Sequence, residues 1–289
     1  MKYYVLFNPL AGHGNHEEQI RALEGKLEGE LVRKDIREIV DYKEFLLTLE
    51  NDDRIIIAGG DGTINRFVNS VDTDSLENEV LYYAIGTGND FLHDIDGAVA
   101  DEPFRINEYL KELPTVEVNE KTYKFINGIG YGIDGYCCEV GDKIKATSDK
   151  PVNYTSIAIK GLLFHYKRAN ATVTVDGVSR EYKKVWLAPV MNGRYYGGGM
   201  NMAPAQDRLN KERLLTSVVL HGSGKLKTLM VFPSIFKGEH ITHTEMVDIC
   251  EGKEITVKFD RPCALQIDGE TILGVTEYTV RSAKTANIL

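Results

Sequence analysis

The sequence predicts an α/β protein in two parts: a Rossmann-like α/β domain over residues 1–120, then a C-terminal β-sandwich over 121–281. Three observations carry that prediction. Up to about Leu113, short apolar runs alternate with helical spacing, as in a layered domain with a largely parallel sheet. Each of these early runs ends in a loop rich in Gly, Asn or Pro. Beyond about Phe125 one strand-like run follows another, which places the boundary between 114 and 125. The last residues, 282–289, are open to a return to the first domain.

In the first part, Tyr3 to Phe7, Arg54 to Ala58 and Tyr82 to Ile85 are the clearest strands. Ile20, Leu23 and Leu27 keep helical spacing between them, and Ile64, Phe67, Val68 and Val71 do so after a glycine turn. In the second part, Thr172 to Val175, Val185 to Met191, Leu214 to Leu220, Ile255 to Phe259, Ala264 to Ile267 and Tyr278 to Val280 read as strands. Helices are expected at Ser156 to Tyr166 and Leu226 to Phe232.

The chain of 289 residues is 43% hydrophobic and 27% charged, with 34 Lys plus Arg against 43 Asp plus Glu and a net charge of −9. No dense basic run offsets this balance, so nucleic acid is not an expected partner. No apolar run approaches the roughly 20 residues of a membrane span. The N-terminal run stops at Asn8-Pro9, short of a signal-peptide core, so export is not expected. Cys137, Cys138, Cys250 and Cys263 fit neither a disulfide framework nor a paired zinc motif and read as thiols in a reducing cytoplasm.

The strongest local signal is Gly59-Gly60-Asp61-Gly62-Thr63, between an isoleucine strand and an amphipathic stretch. Glycines let a main chain turn tightly beside a phosphate group, and the start of a helix offers N–H groups and partial positive charge. Gly86-Thr87-Gly88-Asn89-Asp90 follows another strand. In a parallel sheet the two loops open on one edge and can face one ligand. Asn8-Pro9-Leu10-Ala11-Gly12-His13-Gly14 follows the first strand and would join them. Position 17, where a dinucleotide fingerprint wants a third glycine, is Glu17, which favours a mononucleotide.

Taken in order, these motifs resemble the diacylglycerol kinase catalytic domain and its bacterial lipid kinase relatives. Asn192-Gly193, Tyr196-Gly197-Gly198-Gly199-Met200, Met202-Ala203-Pro204 and Leu265-Gln266-Ile267-Asp268-Gly269-Glu270 extend the resemblance over nearly the whole chain. It implies transfer of the γ-phosphate of ATP, with Mg²⁺, to a hydroxyl of diacylglycerol or a similar lipid, at a cleft between an α/β nucleotide domain and a β-sandwich acceptor domain. Asn8, Gly59, Gly60, Asp61, Gly62, Thr63, Thr87, Gly88 and Asn89 would hold the nucleotide. Asp61 could also reach Mg²⁺ bound to ATP, and no other metal ligand is assigned. Asp90, His93 and His13 would face the phosphate or substrate. Asp268 takes the place of the general base, with Glu270 beside it. As a cleft carboxylate Asp268 would matter little to stability, and without the resemblance Asp268-Gly269 reads as an ordinary turn. The resemblance further implies a cytoplasmic enzyme in transient peripheral contact with membrane, and leaves a homodimer open.

The chain departs from the family pattern at four places. His13 and His93 stand where relatives carry Lys and Arg, Arg66 stands where an acid is common, and Glu212-Arg213-Leu214-Leu215-Thr216 replaces an Asp-Gly-x-x-Asp segment. The last change removes the basis for a structural metal site there. Two rival readings follow. One is a kinase of a soluble acceptor such as NAD or a sugar phosphate; the other is a nucleotide-binding sensor that has lost catalysis.

Other features invite a functional reading and support a structural one. Gly222-Ser223-Gly224-Lys225 resembles a Walker A ending, but Leu226 and Val219 break the pattern. His240 and His243, with Glu239 and Glu245, read as a solvated loop or strand edge and not as a zinc site. Tyr195 and Tyr196 either line the acceptor cleft or pack beneath the glycine run.

Overall fold

A computed structural model describes residues 1–9, 16–86, 88–100, 102–148 and 152–285. The chain divides into two compact units, Met1–Glu112 and Leu113–Leu289.

The first unit is a five-stranded sheet flanked by helices. Its elements are β1 (Lys2–Phe7), α1 (His16–Glu24), β2 (Glu30–Asp35), α2 (Tyr42–Leu47), β3 (Arg54–Gly59), α3 (Asp61–Ser70), β4 (Glu79–Ala84), α4 (Asp90–Asp94), β5 (Phe104–Arg105) and α5 (Asn107–Leu110). The strand order is β2-β1-β3-β4-β5; the first four are parallel, and β5 pairs antiparallel with β4. Ile55, Ile56 and Ile57 of β3 are wholly buried, as a central parallel strand covered on both faces requires. Tyr3, Val5 and Ile56 pack with Ile20 and Leu23 of α1. Tyr4, which alternates to the other face, meets Phe45 of α2 edge to face. The strand order reverses between the parallel neighbours β1 and β3, the switch point where open α/β sheets bind ligands beyond the carboxyl ends of their strands.

The second unit runs β6 (Thr115–Val118), β7 (Lys121–Lys124), β8 (Gly128–Tyr131), α6 (Ile133–Lys145), α7 (Tyr154–Lys160), a π-helical turn (Gly161–His165), β9 (Ala169–Val175), β10 (Val178–Val185), β11 (Val190–Met191), β12 (Tyr195–Tyr196), β13 (Met200–Asn201), β14 (Leu215–Leu220) and α8 (Lys225–Val231). Two 3₁₀ turns, Phe232–Lys237 and Glu239–Thr242, precede β15 (Val247–Gly252), β16 (Glu254–Ile267) and β17 (Glu270–Arg281). Ten of these strands form one antiparallel sheet folded on itself around Val116, Phe125, Ile129, Tyr131, Val173, Val257, Leu265 and Tyr278. The fold follows from β16. Its first half pairs with β9 through Ile255 to Phe259, and its second half pairs with β8 through Leu265 to Ile267.

The two strands expected at 255–259 and 264–267 are therefore one, interrupted by a register shift between Lys258 and Cys263. Pro262 lies in that interval, where a residue without an N–H costs no ladder bond. The expected run Val185 to Met191 divides in the opposite sense: Val185 ends β10, and β11 starts at Val190. A second apolar cluster, including Ile133, Leu162, Trp186, Met191, Tyr196, Val231 and Ile235, joins the sheet to its helices.

Candidate functional site

In the first unit the two glycine loops meet through their main chains. A Cβ built on Gly86 would lie 2.5 Å from the Gly60 Cα, and one on Gly59 would overlap the Thr63 side chain. Only glycine permits that approach. The adjacent strands set it up, since β3 pairs in register with β4 and Ile85 N–H donates to Gly59 O at 3.1 Å. Asp61 then ties the loops together: its Oδ2 accepts from Asp90 N and its Oδ1 from Phe91 N, each at 2.9 Å. Asn89 adopts φ 44° and donates from Nδ2 to Gly86 O at 2.8 Å. Below them the Tyr82 hydroxyl donates to Gly59 O. Burial, and then the Asp61 and Asp90 charges, keep this phenol far above its ordinary range.

Among the described residues no side chain caps α3, and a Cβ on Gly62 would meet nothing within 4 Å. The first turn of a ten-residue helix is thus open beside two glycine loops, with the partial positive charge that favours an anion. Asp90 is buried and His93 is exposed on α4. Asn8 directly follows β1, and Gly88 comes within reach of the Asp61 carboxylate. His13 and Thr87 lie outside the described residues. Arg66, the departure on α3, donates to Ile36 O at 3.4 Å.

The second unit gathers its motif residues on one short segment. Both Asp268 oxygens accept main-chain hydrogens: Ile126 N at 2.6 Å, Asn127 N at 2.9 Å and Gly128 N at 3.0 Å. From the other side Asn192 Nδ2 donates to Ile126 O at 2.8 Å, and Asn192 N and Gly193 N both donate to Asn127 O. Buried Arg208 adds Nη1 to Ile126 O and Nη2 to Asn127 Oδ1. Asp268-Gly269 is a two-residue hairpin turn with φ of 45° and 97°, so Asp-Gly suits it as a turn as well. The expectation that Asp268 matters little to stability is corrected by this geometry, because three charge-assisted bonds depend on its carboxylate. Glu270 opens β17 and is exposed.

Sequence reasoning missed Asp134, in the first turn of α6. Tyr196, itself 2% exposed, donates to Asp134 Oδ2 at 2.7 Å, and burial pushes the carboxyl up to about 7 despite that bond. Gly130 faces both Asp134 and Gln266, while Gln266 Oε1 accepts from Gly269 N at 2.6 Å. One side-chain amide therefore links the surroundings of Asp134 and Asp268. The available signal was Gly128-Ile129-Gly130-Tyr131-Gly132-Ile133-Asp134, an acid closing a glycine-rich strand-to-helix connection. Tyr196 is buried in the apolar cluster that holds Met202 and Ala203.

His240 is fully buried in a 3₁₀ turn, with Nε2 3.1 Å from Met202 O, so the expected solvated loop is corrected there. Among the described residues no three His, Cys, Asp or Glu side chains form a metal-binding cluster. Lys225 donates to Leu163 O at 2.7 Å. No helix among the described residues is long and apolar enough to cross a membrane.

Residues 2–115 match the diacylglycerol kinase catalytic domain, and 127–283 match the YegS C-terminal NAD kinase beta sandwich-like domain. A Bacillus subtilis protein named "Putative lipid kinase YtlR" is 24% identical over 97% of this chain and 96% of its own. A Mycobacterium tuberculosis protein named diacylglycerol kinase is 24% identical over 91% and 90%. A crystal structure of a diacylglycerol kinase from Bacillus anthracis shares the fold, with a TM-score of 0.63 and 20% identity over 98% of this chain and 95% of that one.

Proposed function

The chain belongs to the diacylglycerol kinase catalytic-domain family with a YegS-type C-terminal domain, and from that membership we propose that it transfers the γ-phosphate of ATP to a hydroxyl of diacylglycerol or a related lipid. The observation that carries the nucleotide side is the contact of Gly60 with Gly86, tied by Asp61 beside the open first turn of α3. Main-chain N–H groups and a helix start are suited to polyphosphate; the missing β-carbons of Gly59 and Gly86 let the loops close on each other, and that of Gly62 keeps the first turn clear of the other described residues. Asn8, Thr63, Thr87, Gly88 and Asn89 complete this side.

Mg²⁺ would offset charge on the transferring phosphoryl group, and with no carboxylate cluster among the described residues it would enter on the nucleotide phosphates. Asp268 accepts the hydroxyl proton. Three main-chain donors hold its carboxylate in one orientation. Glu270 is beside it in sequence. His93 and His13 take the places of the missing cations toward phosphate. Asp134, largely protonated below about pH 7, can donate as well as accept at the acceptor side.

Transfer of label from [γ-³²P]ATP, measured across diacylglycerol, monoacylglycerol, long-chain bases, NAD and soluble alcohols, tests this reading. Labelled lipid formed from diacylglycerol or a near relative is the expected product. Label only on a soluble acceptor, or tight ATP binding with no transfer to any of them, would reject it.

A further inference from the structure

The net charge of −9 offers anionic membrane no general attraction, yet the second unit separates its charges sharply. Residues 152–168 and 221–238 contain no Asp or Glu but hold Lys160, Lys167, Arg168, Lys225, Lys227 and Lys237. The rest of the chain carries 28 basic against 43 acidic residues. The two acid-free segments are neighbours in space. Lys225 of α8 donates to Leu163 O in the π-helical turn at 2.7 Å, and Arg168 Nη1 donates to Ser223 O at 2.6 Å. Their inner faces are anchored by Leu162, Val231 and Ile235.

Their outer faces are apolar. Phe164 is 73% exposed, Leu226 73% and Met230 74%, and Phe236 stands partly exposed against the ring of Phe232. Leu226 and Met230, four apart on α8, share one face. Exposed large apolar side chains grouped on adjoining helical elements, among lysines with no acid between them, have the composition of an interfacial surface. Lys227 pairs with Glu245 at its edge, and Lys160, Lys167, Lys225 and Lys237 are exposed. The π-helical turn also rests on α6 beside Asp134, because Gly161 fits against Tyr136 and Ile133.

We propose that α7, the π-helical turn, α8 and the following 3₁₀ turn form the surface by which this protein docks on bilayers carrying anionic headgroups. The choice of a bilayer rests on the lipid-kinase reading above together with this charge separation. Apolar tips enter the headgroup boundary while the lysines stay among the phosphates, each adding roughly fivefold to partitioning near an anionic surface.

Vesicle flotation tests it, with phosphatidylcholine alone and with phosphatidylglycerol added. The wild-type protein should float with anionic vesicles and lose them as salt rises. Leu226→Glu with Met230→Glu should weaken binding at least about tenfold, and Lys160→Glu with Lys237→Glu should remove the preference for phosphatidylglycerol. These positions are exposed, so thermal melts of the variants should match wild type.

Met230→Trp gives a second measurement. The native Trp186 is wholly buried, so vesicle-dependent blue shift and protection from iodide would report position 230. Unchanged flotation of the Glu pair, or no blue shift of the introduced indole while the protein floats, overturns the proposal. So would a wild-type protein that ignores every vesicle and self-associates through this face. Turnover on short-chain, water-dispersed diacylglycerol keeps the two readings apart. Variants that lose vesicles but keep this turnover support docking, whereas vesicle binding with no lipid phosphorylation leaves docking standing and rejects the kinase reading.

Discussion

Replacing Asp268 by Asn separates two roles that rate measurements alone confound. Asn tolerates φ near 45° and Asn-Gly is as favourable a hairpin turn as Asp-Gly, so the backbone is unaffected. The side chain changes more. If its oxygen keeps Asn127 N and Gly128 N, its amide hydrogens face Ile126 N, leaving one donor unsatisfied at about 1–3 kcal/mol. The two remaining bonds lose their charge assistance, roughly another 1 kcal/mol together. A total of about 2–4 kcal/mol corresponds to a fall in Tm on the order of 10 °C for a unit of this size. If Asp268 is also the general base, turnover measured well below the new Tm drops by roughly 10² to 10⁴. Differential scanning fluorimetry and pH–rate profiles read the two effects separately. A base substitution abolishes the acid limb of the wild-type profile, whereas loss of an anchor alone lowers the rate and keeps the profile. An unshifted Tm would refute the anchoring argument, and near-normal turnover would refute the base.

Three further substitutions test the rest of the geometry. Gly62→Ala should keep or raise stability by up to about 1 kcal/mol, since none of the described residues lies within 4 Å of the new Cβ and Ala favours α3, while calorimetric affinity for Mg²⁺·ATP falls if phosphate occupies that turn. Gly86→Ala, whose Cβ would strike the Gly60 main chain, should instead cost about 1–3 kcal/mol and lose nucleotide binding; a wild-type melt and affinity would separate the loops. Asp134→Asn should stabilise the protein increasingly as pH rises. The folded carboxyl is raised from 3.8 to about 7, so its contribution is fully favourable below the unfolded pKa and is lost as pH rises toward 7, by at most roughly 4 kcal/mol. Parallel melts at pH 5 and pH 8 that differ equally for variant and wild type would exclude Asp134 as the titrating group.

The loops of the nucleotide side were legible because their signals are local: an isoleucine strand, three glycines and a helix within a dozen residues. The edge strand β2 was not, because Glu30-Leu31-Val32-Arg33-Lys34-Asp35 has the charges of an unpaired edge and no apolar run. Helix α6 was hidden by Gly135 and Gly141, which lower helix propensity. Their reason is tertiary, since a Cβ at 135 would overlap the Ala264 carbonyl and one at 141 would meet the Tyr154 ring. Asp134 looked like any acid in a first helical turn. Only Tyr196, 62 residues away, and the packing around it distinguish this carboxyl from a solvated one. The docking face was invisible for the opposite reason: its two segments are about 60 residues apart, and neither is strongly basic by itself.

One arrangement recurs in both units and bears on how the acids should be read. Asp61 and Asp268 each sit in a Gly-bounded turn, and each spends both carboxylate oxygens on main-chain N–H groups of another segment. A glycine turn is free to adopt many conformations, so an acid placed on it is poorly directed unless something outside the turn holds it. The donors from Asp90 and Phe91, and from Ile126 to Gly128, supply that restraint, and the acids in return satisfy N–H groups that strands and helices leave open. Fixing the carboxylate and shaping the loop are then one interaction. Loss of activity after removing either acid is therefore weak evidence for a direct chemical role until the melt, the nucleotide affinity and the pH profile of the same variant are known.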